Sequence, residues 1–157
     1  MRKLIAAVTV LATLAFTASS LAVVPRGNLH FAGFTSAPPI AGFKDPMSFS
    51  VASNARSVTG FKFGTLGCFG FGGEPPKRNP YAFPTNTAKL AAIPIKGGAF
   101  SATQEIKVGP VPTTATVTGK FRRRSGKFTA SGAITISQDF QGETCGPATM
   151  TYTATSK

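Results

Sequence analysis

The sequence contains no tryptophan, a single histidine (His30), two cysteines (Cys68 and Cys145) and five carboxylate side chains in 157 residues. Each shortage closes off a chemistry. A serine or cysteine triad needs a histidine beside a nucleophile and an orienting acid. His30 lies instead in a stretch rich in proline and glycine, and no G-x-S-x-G elbow occurs in the chain, so it reads as a surface or partly packed histidine. A zinc site lacks ligands once the cysteines are paired. The acids Asp45, Glu74, Glu105, Asp139 and Glu143 are too scattered for the clustered oxygens of a calcium loop. A two-carboxylate hydrolase would have to use Asp139 and Glu143 across one loop. No surrounding motif raises these two above solvated loop acids. The reading is therefore a non-enzyme with no metal and no cofactor, and a hydrolase ranks last.

Long apolar runs are also missing, apart from Leu4 to Phe16 behind Arg2 and Lys3, which ends at the small residues Ser20 and Ala22. That pattern predicts an export signal over residues 1–22, because its core falls short of the ~20 apolar residues that span a bilayer. The mature chain then starts at Val23, works outside the cytoplasm as a secreted or envelope-associated protein, and carries no transmembrane helix. Residues 23–46 form an irregular lead-in with Pro25, Pro38, Pro39 and Pro46, and one edge strand near Leu29 to Phe34. Residues 47–157 form a single domain.

What the chain has in quantity is phenylalanine and positive charge. Thirteen of its 14 phenylalanines follow the leader, and each is worth about 1.5–3 kcal/mol when buried, so phenylalanine builds the core. Without Arg2 and Lys3, 15 of the 17 Lys and Arg remain against five acids, a net charge of +10. Such a balance favours anionic partners: acidic wall polymers, acidic polysaccharide, anionic lipid head groups or nucleic acid bound without sequence specificity. It also serves solubility alone. Two cysteines in an exported chain read as a Cys68–Cys145 disulfide, which stabilises by about 4–5 kcal/mol in the chain-entropy model.

The local pattern is period two. Met47, Phe49 and Val51 share one face, as do Phe61 and Phe63, while Val58 has the wrong parity unless Gly60 hosts a bulge. Gly97-Gly98 predicts a tight hairpin that sets Ile95 against Phe100 and Ile93 against Ala102. A second hairpin alternates Ala115, Val117, Gly119 and Phe121 with Thr116, Thr118, Lys120 and Arg122, then returns through Phe128, Ala130, Gly132, Ile134 and Ile136. With Arg123 to Gly126 as its loop, Phe121 faces Phe128 and Val117 faces Gly132. A last strand turns Met150, Tyr152 and Ala154 inward and threonines outward. No mature segment shows a sustained 3.6-residue repeat, so the fold is all-β: one antiparallel β-sandwich, with a jelly-roll-like arrangement or a partly closed barrel as its variants.

These strands carry a resemblance. Val58-Thr59-Gly60-Phe61-Lys62-Phe63, Ile95-Lys96-Gly97-Gly98-Ala99-Phe100-Ser101, Val117-Thr118-Gly119-Lys120-Phe121, Ala130-Ser131-Gly132-Ala133-Ile134-Thr135-Ile136 and the end from Cys145-Gly146 to Tyr152-Thr153-Ala154 resemble small exported bacterial β-sandwich proteins of unassigned function. The likeness covers Met47 to Ala154 and departs where Tyr152 replaces the tryptophan usual in that group. It implies a compact sandwich tied by Cys68 and Cys145, and no activity.

Two segments carry binding chemistry. Arg122, Arg123, Arg124 and Lys127 concentrate at one hairpin tip, where guanidinium groups fork onto phosphate or carboxylate; the alternative is a solvated turn that discourages aggregation. Phe69 to Pro84 mixes Phe71, Arg78 and Tyr81 in a long loop suited to stacking on sugar rings or gripping a peptide, or to capping the fold. The expected function is binding of an anionic or carbohydrate polymer, with an extracellular protein-interaction or inhibitor module as the alternative.

Overall fold

The computed structural model describes residues 23–36, 45–64, 87–108, 111–140 and 143–157. Among these lie nine strands: β1 (Leu29–Thr35), β2 (Pro46–Val51), β3 (Ser57–Gly64), β4 (Thr87–Lys89), β5 (Ile93–Lys96), β6 (Ala99–Val108), β7 (Val111–Arg124), β8 (Lys127–Phe140) and β9 (Glu143–Ser156). The described residues are all-β and the pairings among them are all antiparallel. They run β2-β1-β9-β8-β7-β6-β5-β3, and β2 pairs back onto β3, so eight strands close into a ring with β4 added outside β3. All nine strands belong to one sheet, which closes on itself. Closure leaves β1 between β2 and β9, not at an edge.

Parity decides what fills the ring. Phe31, Phe49, Phe61, Phe63, Phe100 and Phe121 are buried there with Tyr152, Val58, Val117, Ile93 and Ile134. Phe49 is the hub: its ring stacks at 4.8 Å on Phe31 and 5.4 Å on Phe61, and meets Phe100 edge-on at 5.7 Å. Such offset and edge contacts add about 0.5–1.5 kcal/mol per pair beyond area burial. An eight-stranded ring is just wide enough for side chains to fill, so the interior is a packed core.

The bulge expected at Gly60 is present. Ser48 pairs with Lys62 and Ser50 with Thr59, so β3 spends one more residue than β2 on the same interval. Gly60 takes it up at φ +59°, a left-handed conformation with little cost for glycine. Val58, Phe61 and Phe63 consequently all face inward.

The β5–β6 hairpin turns at Gly97-Gly98 with Ile95 opposite Phe100 as predicted, but its ladder stops at that rung and Ile93 pairs with Val58 on β3. Beyond it the Gln104 side chain bridges the gap, accepting from Ala91 N at 2.8 Å and donating to Ala91 O at 3.4 Å.

In the β7–β8 hairpin the predicted faces hold and the predicted register does not. Phe121 pairs with Ala130, Arg123 with Phe128 and Val117 with Ile134, two residues away from expectation. The loop is the two residues Ser125-Gly126, both at positive φ (49° and 80°), the conformation whose twist matches paired strands. Strand β4 and the extension of β6 to Val108 were not anticipated.

Candidate functional site

Antiparallel closure sorts the connections between two ends of the barrel. One end carries the β7–β8 turn. The β5–β6 turn lies beside it, where Phe121 N donates to Gly98 O at 2.8 Å. Next comes the β2–β3 connection, whose Arg56 O accepts from Ile95 N at 2.8 Å. The segment leading into β1 and the residues leaving β9 complete the circle, with Lys157 N donating to His30 O at 3.0 Å and Phe128 N donating to Ser156 Oγ at 3.1 Å.

Every one of these five segments presents cations. Arg26, Arg56, Lys96, Arg122, Arg123, Arg124, Lys127 and Lys157 are all exposed at this end. The described carboxylate residues lie toward the other: Asp45 before β2, Glu105 opposite Thr114 near the far end of β6, and Asp139 and Glu143 astride the β8–β9 connection. Sequence reading found only the four cations of the β7–β8 turn. Lys96 was detectable as the residue before Gly97-Gly98, but its proximity to Arg56 depends on the β3–β5 pairing.

The turn itself is electrostatically loaded. Lys120, Arg122 and Arg124 share the outer face of β7, about 7 Å apart at the strand rise. Arg124 stands directly opposite Lys127 in the last rung. Like charges paired this way repel. Arg123 has the inward parity of Phe121 but emerges beyond the barrel, where its guanidinium lies 5.6 Å from the centre of the Phe128 ring. That contact holds Arg123 in place while leaving it exposed.

The other predicted features separate. Phe71, Arg78, Tyr81 and Cys68 lie outside the described residues, as does the side chain of Cys145, whose backbone on β9 pairs with Gln138 of β8. His30 is exposed on β1 with Nδ1 3.3 Å from Ser50 Oγ. It lines a shallow groove on the outer face of β1 and β2 with Ala32, Phe34, Ser48, Lys62 and Lys157. Asp139 accepts from Thr144 Oγ1 at 2.7 Å. Among the described residues, no three His, Cys, Asp or Glu side chains gather in a metal-binding group, and no helix is long and apolar enough to cross a membrane.

The molecule is thus an all-β closed barrel with a filled interior and a cationic end. Neither a family model, nor a curated protein, nor a solved structure matches the chain.

Proposed function

We propose that this chain is an exported, non-enzymatic binding domain that takes an anionic polymer of the cell envelope or its surroundings, with the Arg122–Lys127 turn as its principal contact. The observation that carries this reading is the segregation of charge: eight of the twelve exposed cations among the described residues gather at one end, while the described carboxylates lie toward the other beside Lys62, Lys89 and Lys107. Dispersed charge serves solubility equally well from any face, whereas one-sided charge creates a field that orients and attracts a polyanion. The opposed Arg124 and Lys127 add a second motive, since a bound anion relieves their repulsion. Arginine suits this task because its planar fork grips phosphate or carboxylate with two hydrogen bonds. Export through cleavage after Ala22 and the Cys68–Cys145 bond belong to the same proposal, and both place the domain among extracellular polymers.

The test is retention of the mature protein on an acidic polysaccharide column across a salt series. Exposed charges lose long-range attraction once the screening length falls to ~8 Å, so binding should weaken steeply as salt approaches physiological strength. The triple change of Arg122, Arg123 and Arg124 to Ser should elute earlier than a variant with equal charge removed at Lys62, Lys89 and Lys107. Equal elution of the two variants would reduce the turn to a soluble hairpin.

A further inference from the structure

We infer that the binding surface is the whole cationic rim and that its ligand is a linear polyanion laid across the barrel end, as opposed to a single phosphate or carboxylate group. This inference rests on the polyanion reading and extends it from one turn to five chain segments. A ring of eight strands spaced ~4.8 Å and tilted by about 40° is about 16 Å across. Arg56 and Arg122 are separated by three strand steps along that ring, through β5 and β6, or about 14 Å. Both intervals exceed the ~8 Å over which exposed charges feel one another at physiological salt. At physiological salt a monovalent or compact anion at the β7–β8 turn is therefore largely screened from Arg56, and Lys96 and Arg26 stand two and three strand steps from β7. A chain of anions spans the rim and engages each cluster in turn.

Two features favour the extended ligand. First, the cations come from separate segments that the closed ring fixes relative to one another, since the backbone N–H groups of Phe121, Ile95, Phe128 and Lys157 donate across neighbouring segments, that of Phe128 to the Ser156 hydroxyl and the others to backbone carbonyls. Sites held at fixed separation convert successive contacts into intramolecular ones, and linkage of that kind raises affinity by ~10²–10⁴ with no new contact chemistry. Second, no described carboxylate side chain interrupts the rim, so a polyanion crossing it meets attraction throughout. The outer row Lys120, Arg122 and Arg124 offers a straight lane leading onto it.

The experiment measures binding of mature protein to tripolyphosphate, to long-chain polyphosphate and to polygalacturonate by calorimetry over a range of salt. Four proteins are compared: wild type, a rim variant (Arg26→Ser, Arg56→Ser, Lys96→Ser), the turn variant (Arg122→Ser, Arg123→Ser, Arg124→Ser) and the off-rim control (Lys62→Ser, Lys89→Ser, Lys107→Ser). For the long polymers the rim and turn variants should each lose about tenfold or more in affinity. Each should also flatten the slope of log affinity against log salt by about 2, because each contact on a flexible polyanion contributes ~0.7. The off-rim control should stay near wild type. For tripolyphosphate at physiological salt only the turn variant should weaken. Preference between the phosphate and carboxylate polymers identifies the source of the anion without altering the rim assignment.

If the rim variant binds long polymers as the control does while the turn variant fails, the turn alone is the site and the composite rim is overturned. If wild type binds neither long polymer, the polyanion reading itself falls. Gln versions of the same positions keep the side-chain stems and repeat the comparison should a Ser variant lose its fold.

Discussion

The Tyr152 hydroxyl on β9 reaches across β8 and donates to the Thr118 carbonyl on β7 at 2.9 Å. It passes over Gly132, which pairs with Tyr152 on one side and with Gly119 on the other. A side chain at Gly119 would collide with both the Tyr152 hydroxyl and the Phe100 ring. Gly119 therefore supplies space that the large Tyr152 side chain occupies, while a side chain at Gly132 would meet the Thr118 carbonyl on β7, and the tyrosine satisfies its polar end on the backbone.

Gly119→Ala should accordingly destabilise the domain by about 1–3 kcal/mol, the cost of forcing extra volume into a packed core. Denaturant unfolding checks this against Lys120→Ala, one residue away on the outer face, which should stay within about 0.5 kcal/mol of wild type. Equal effects would show that Gly119 is not tightly packed.

Tyr152→Phe keeps the ring and removes the hydrogen bond, for an expected loss of about 0.5–1.5 kcal/mol at neutral pH. Burial also raises the Tyr152 phenol well above its ordinary pKa of 10.0, because the phenolate is poorly solvated there. The folded state then holds its proton while the unfolded state releases it. Stability from this group is complete below pH 10 and falls above it, by about 1.4 kcal/mol per pH unit until the folded group itself titrates. Thermal melts from pH 9 to 11 should bring wild type toward Tyr152→Phe, which lacks this dependence. Parallel pH profiles for the two proteins would contradict it.

Ser125 occupies a left-handed conformation at φ 49°, where most residues are strained and asparagine is tolerated. Ser125→Asn should raise the melting temperature by the equivalent of about 0.5–1 kcal/mol, within the range of turn optimisation. An unchanged or lower value would argue against the two-residue turn.

Long-chain polyphosphate should raise the melting temperature of wild type at low salt, by mass action on the folded state and by relief of the Arg124 and Lys127 repulsion. Lys127→Ser removes that repulsion, so in the absence of polyanion it should melt no lower than wild type, and it should gain less from the polymer. Differential scanning calorimetry reads both.

Much of this architecture was legible along the chain. The inward faces of β2, β7, β8 and β9 follow from alternation, and the bulge at Gly60 follows from the parity break between Val58 and Phe61. Alternation does not reveal the two-residue slip in the β7–β8 hairpin, because a shift of two returns every side chain to the same face. Hydrophobic pattern cannot distinguish such registers. Turn chemistry could have, since Ser125-Gly126 suits a two-residue loop better than Arg123 to Gly126 suits a four-residue one. The same limit applied to β1, whose composition suggested an edge because proline and glycine surround it.

The sequence by itself determined the all-β class, the phenylalanine core and the density of positive charge at Arg122 to Lys127, because these are properties of neighbours along the chain. Only the tertiary structure decided that β2 pairs with β3 to close the ring, and that Arg26, Arg56, Lys96 and Lys157 therefore share an end with the arginine turn. Period-two alternation fixes which way a side chain points but leaves open which strand lies alongside. That choice is made by the packing of Phe31, Phe49, Phe61 and Phe121 against one another, contacts between residues up to ninety positions apart.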